Sequence, residues 1–89
     1  MATVNVTVSE AWTKVGDGED TGLSVQIPHY DCEWEVAAVA TEVPPTVEGH
    51  RLLGPYMQVT RADLGPGFVY ARIVSGPTTT AVVSKYVAA

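Results

Sequence analysis

Apolar and polar residues alternate with period two along most of this chain, in short runs cut by glycine and proline. That pattern limits the fold more than any other feature, because side chains on a strand point to opposite faces in turn. "TVNVTV" (3–8) sets Val4, Val6 and Val8 on one face and Thr3, Asn5 and Thr7 on the other. "LSVQI" (23–27) turns Leu23, Val25 and Ile27 inward, and Pro28, which has no N–H to donate, ends that ladder. "CEWEVAAVA" (32–40) points Cys32, Trp34, Val36, Ala38 and Ala40 at a core, with Glu33 and Glu35 facing away. "HRLL" (50–53), "YMQVT" (56–60), "FVYARIV" (68–74) and "TTAVVSKYV" (79–87) complete the set.

Between the runs stand turn residues: "GDGEDTG" (16–22), "TEVPPTVEG" (41–49), "RADLGPG" (61–67) and "SGPT" (75–78). "SEAWTKV" (9–15) is open to a strand continuation or one helical turn capped by Ser9, and reads as an irregular link that buries Trp12. No stretch carries a helical period. The expectation is a single all-β domain over 1–89, a small antiparallel β-sandwich or flattened barrel of six to seven strands.

"FVYARIVSG" poses a problem for such a thin domain. Phe68, Tyr70, Arg72 and Val74 share one side of the strand and Val69, Ala71 and Ile73 share the other, so both sides are largely apolar. One must pack on the facing sheet. The other, like Ala37 with Val39 and Val82 with Tyr86, needs a second cover. Either the 41–55 connection folds back over it or a neighbouring subunit does. Three strands contributing together would form a patch, and patches mark interfaces.

Composition narrows the functions. At 89 residues the chain is near the small end of what folds alone, and its single cysteine rules out an intrachain disulfide. Oligomerisation is the remaining common way to add buried area. A net charge of −5 argues against nucleic acid and against an anionic membrane surface. Nine acids against Lys14 precede Arg51, while four bases against Asp63 follow Glu48. Those halves either steer head-to-tail contacts or interleave in the fold and cancel. "MATVNVTVSE" has no basic segment followed by an apolar one, so no recognisable export signal is expected.

Candidate chemistry is sparse. The acidic turn "DGED" lacks the ligand spacing of a calcium loop. "HYDCE" holds His29, Asp31, Cys32 and Glu33, all zinc-compatible types, but an extended chain points Cys32 and Glu33 apart and offers no second cluster. Asp31 and Glu33 flank Cys32 and oppose a thiolate, so Cys32 reads as a buried structural residue rather than a nucleophile. Glu33 and Glu35 have the same-face spacing of a glycosidase pair, yet alternating glutamates commonly keep a sheet face soluble. No enzyme activity, cofactor, metal or small-molecule ligand is expected.

From Glu33 to Tyr86 the chain resembles small β-domains of tailed-phage virion proteins. "WEVAAVATEVPP", then "GHRLL", then "FVYARIVSGPTTTAVVS" carry the likeness, at Pro44, Gly49, His50, Leu52, Phe68, Tyr70, Arg72, Ser75 and Gly76. The doubled proline and the inserted "RADLGPG" depart from the pattern. The resemblance implies a structural virion protein without cofactor, foremost a capsid decoration protein bound to its own copies or to the major capsid protein. The alternative it leaves open is a carbohydrate- or receptor-binding module of a fibre or spike. Ala37, Val39, Pro44, Pro45, Arg72, Val82 and Tyr86 are the expected interface residues, with Arg72 pairing across subunits to the 33–35 glutamates.

Overall fold

Eight strands in two antiparallel sheets build the domain, seen in a computed structural model that describes residues 2–17, 22–27, 32–46, 49–54 and 58–86. In chain order they are β1 (Ala2–Val8), β2 (Thr13–Gly16), β3 (Gly22–Gln26), β4 (Cys32–Val39), β5 (His50–Gly54), β6 (Gln58–Thr60), β7 (Phe68–Ser75) and β8 (Thr79–Tyr86). A single helical turn, α1 (Arg61–Leu64), stands between β6 and β7. One sheet has the order β1-β8-β3-β6 and the other β2-β7-β4-β5. The molecule is a sandwich rather than a closed barrel, since among the described residues each sheet ends in two edge strands.

The alternation read from sequence sets the core. Val8, Val25, Val59, Ala81 and Val83 of the first sheet meet Trp34, Val36, Val69, Ala71 and Ile73 of the second, each at most 4% exposed. Register explains the layering: Val25 lies opposite both Val59 and Val83, and Trp34 lies opposite both Ile73 and Leu52. Each fully buried aliphatic side chain contributes about 1.5–3 kcal/mol of transfer free energy. Trp34 Nε1 is buried with no hydrogen-bond partner among the described residues, and a buried donor left so costs about 1–3 kcal/mol.

Two local expectations are corrected. "SEAWTKV" contains a strand: β2 pairs Thr13 with Ala71 and Lys14 with Tyr70 before its register slips ahead of Gly16. Four residues with a bulge are too short to show a period. "RADL" forms the helical turn where only a chain reversal was expected. Asp63 accepts hydrogen bonds from the Thr60 N–H at 3.1 Å and hydroxyl at 3.0 Å, fixing its start. Arg61 fixes its end, donating to the carbonyls of Gly65, Gly67 and Asp17 at 3.0, 2.9 and 2.8 Å.

Candidate functional site

The two outer faces of the sandwich differ in kind. On the β2-β7-β4-β5 sheet the outward row crossing the middle is Arg72–Glu35–Arg51, and the next is Lys14–Tyr70–Ala37. Glu35 was expected to face solvent, yet it is 1% exposed. The reason is the strand beside it: Arg72 Nε donates to Glu35 Oε1 at 2.5 Å, and the Arg72 guanidinium lies 5.2 Å from the ring of Trp12. The link after β1 therefore lays a half-buried Trp12 over an arginine, which covers a carboxylate. Within this chain Arg72 pairs with Glu35. Glu33 pairs separately, at 3.2 Å from Arg51. With Glu35 under Arg72, the two glutamates do not flank an open cleft.

The described part of the 41–55 connection lies along the outer face of "FVYARIVSG". Leaving β4 it reaches the β2 side, where Lys14 Nζ lies 2.5 Å from Glu42 and 2.9 Å from Asp17, above the ring of Phe68. By Gly49 it has returned beside β4, where an added Cβ would stand 3.2 Å from that of Ala37. Between these anchors Pro45 is buried, and on the outer face of the sheet Ala37 and Tyr70 are 8% and 5% exposed. The chain thus covers Ala37 and Tyr70 itself, while Leu53 on the same face stays exposed. Lys14 is held above the usual lysine range by its hydrogen bond to Glu42 and then by Asp17. Asp17 is held below the usual carboxylate range, chiefly by Lys14 and further by Lys85 at 3.5 Å. The oppositely charged halves of the sequence interleave, as Glu35–Arg72, Glu33–Arg51 and Asp17–Lys85 show.

The expected interface residues do not form one patch. Ala37 and Val39 lie on the strapped face with Arg72, whereas Val82 lies on the outer face of the opposite sheet. Pro44 is exposed beside the buried Pro45, and Val39 and Val82 are half-buried. Tyr86 pairs with Gly22 through its backbone, and its side chain lies outside the described residues. Alternation cannot tell which sheet a strand joins, and so merged two faces into one.

The outer face of β1-β8-β3-β6 escaped notice in the sequence. Its rows run Thr3–Ser84–Ser24–Thr60 and Asn5–Val82–Gln26–Gln58, with Thr7 opposite Thr80. Among the described residues no charge stands on it. Thr3 and Ser84 hydroxyls lie 3.4 Å apart along the first row. Where this row meets α1 there is an open cavity of about 320 Å³ lined by Leu23, Ser24, Thr60, Arg61 and Ser84. The signal was present in the polar halves of "TVNVTV" and "LSVQ", but only the strand order brings them together.

Cys32 is 1% exposed in the core, and burial pushes its thiol pKa up. Among the described residues no three His, Cys, Asp or Glu side chains gather as for a metal, and His29 and Asp31 lie outside them. The acidic turn is likewise described only to Asp17. Comparison of the chain with protein-family models, with curated proteins and with solved structures returns no match.

Proposed function

We propose that this chain is a structural protein of a tailed-phage virion, a capsid decoration protein that acts by surface contact rather than by chemistry. The observation that supports it is the contrast between the two outer faces. One is covered in part by its own strap and internal ion pairs, with Val43 and Leu53 left exposed. The other is a four-stranded surface whose described strand residues are hydroxyl and amide side chains around Val82, with no charge among them. Such a face meets a protein surface without desolvating a charge, which is the costly part of docking. Repetition over equivalent capsid sites would multiply a modest single contact. The resemblance running from Glu33 to Tyr86 supplies the virion context, and the location that follows is the particle.

The carbohydrate-binding alternative needs an aromatic ring with a free face beside polar groups. Trp34 is buried and offers no face, and the half-buried Trp12 already has one face against the Arg72 guanidinium. The decoration reading is therefore preferred. It is tested by labelling particles of the phage that carries the gene with antibody against the chain. Regular labelling over the head supports decoration. Labelling confined to the tail moves the chain to the fibre reading, and unlabelled particles overturn both.

A further inference from the structure

A sheet edge exposes unpaired N–H and C=O groups, and natural sandwiches protect their edges with shortness, bulges, charge or proline. Three of the four edges here are protected in those ways. β6 is three residues long and runs straight into α1. β2 is four residues long, carries Lys14 and slips register. β5 carries His50 and Arg51, with Pro55 next in the sequence after Gly54. The fourth, β1, has none of these: its seven residues, Ala2–Val8, include no charge, glycine or proline. Val4 on its core side is 37% exposed. The strand is also anchored, because just past its end the Ser9 carbonyl accepts a hydrogen bond from the Ile73 N–H of the other sheet at 2.7 Å.

The sequence of this edge says what fits it. Residues 3–7 read Thr-Val-Asn-Val-Thr, the same in both directions about Asn5. Two antiparallel copies related by a two-fold axis at Asn5 would set Thr3 against Thr7, Val4 against Val6 and Asn5 against Asn5 of the second copy. Like side chains meet on both faces. The valines close the open flank of the core, and the threonines and asparagines extend the uncharged outer face. That axis alone pairs all seven residues of the strand, and any one-residue slip would put valines opposite polar partners.

We propose that β1 is a homodimerisation edge, pairing with β1 of a second copy about a two-fold axis at Asn5 to join two four-stranded sheets into one of eight. The contact is isologous, so it closes at two copies instead of growing into a fibre. It does not depend on a virion role.

Light scattering and sedimentation equilibrium on the whole chain, compared with Asn5→Lys and two cysteine variants, test this. Asn5 is exposed on the outer face, so lysine leaves the monomer intact, which circular dichroism checks. In the dimer it places two ammonium groups face to face on the axis and weakens association about fivefold or more. Asn5→Cys should form a disulfide-linked dimer on mild oxidation, because only a residue on the axis meets itself at bridging distance. Thr3→Cys alone should not, and Thr3→Cys combined with Thr7→Cys should. A wild-type chain that stays monomeric at its highest soluble concentration overturns the proposal. So does a folded Asn5→Lys chain that dimerises undiminished, or a Thr3→Cys chain that crosslinks in preference to Asn5→Cys.

Discussion

Arg72 donates through Nε to Oε1 of Glu35 at 2.5 Å, and Glu35 is 1% exposed although it stands on the outer face of its sheet. A carboxylate so placed is tolerable only with its partner. Arg72→Met would strand the negative charge under Trp12 and should cost about 2–4 kcal/mol in urea denaturation, since the arginine's partial exposure softens the loss of a buried pair. Replacing both, as Arg72→Met with Glu35→Leu, should recover most of that loss. A single replacement of Arg72 that costs nothing would mean the pair does not hold Trp12 and β4 together.

Cys32 gives a pH signature. Its thiol pKa is raised by burial, so the native chain keeps the proton while the unfolded chain ionises above about pH 8.5. There the unfolded state binds fewer protons than the native state, and stability falls as pH rises. Below that range the contribution is fully present. The difference in unfolding free energy between the wild-type chain and Cys32→Ala should therefore be constant near neutrality and shrink at alkaline pH. Native Cys32 should also react with a thiol reagent only at the rate of unfolding.

Lys14 ties the 41–46 segment to the sheet through Glu42 and to the preceding turn through Asp17. Lys14→Met should raise amide hydrogen exchange in 41–46 and leave exchange in β8 unchanged. Asp17 has a lowered pKa, so its contribution is present above the ordinary carboxylate value, about 3.9, and disappears as pH falls through the native value. Asp17→Asn should accordingly match the wild-type chain in strong acid and fall behind it toward neutrality. Added salt should narrow that gap, because these groups are partly exposed.

Strand placement was readable in this sequence because the core demands it: Leu23, Val25 and Ile27, or Trp34 and Val36, alternate because one face is buried. What could not be read is anything decided by the strand order. Glu33 and Glu35 look alike along β4, yet Glu35 lies opposite Arg72 and Arg51 while Glu33 lies opposite Ser75 and Leu53. One is buried under Arg72 and Trp12, and the other, paired with Arg51, is half-buried. Val82 and Ala37 looked like members of one surface until pairing put them on opposite sides of the sandwich. The uncharged face needed the same information. Thr3, Ser24, Thr60 and Ser84 come from four separate segments and become one row only through register.

Two glycines illustrate how distinct constraints give distinct outcomes. Gly49 meets its limit in space, for an added Cβ would stand 2.4 Å from the Val36 carbonyl oxygen and 2.8 Å from its carbon. Gly65 meets its limit in conformation, with φ of 80° and ψ of −171° but nothing within 4 Å of an added Cβ. That backbone region is almost reserved for glycine, so Gly65→Ala should cost about 1–3 kcal/mol. Its effect should be spread evenly over the fold, because no neighbour has to move. Gly49→Ala must instead push the chain away from β4 just where β5 begins, at the Val36–His50 pair. It should raise hydrogen exchange in 50–53 before the rest of the sheet, alongside a drop in overall stability. Equal exchange patterns in the two variants would mean that Gly49, like Gly65, is needed for its backbone angles and not for its closeness to Val36.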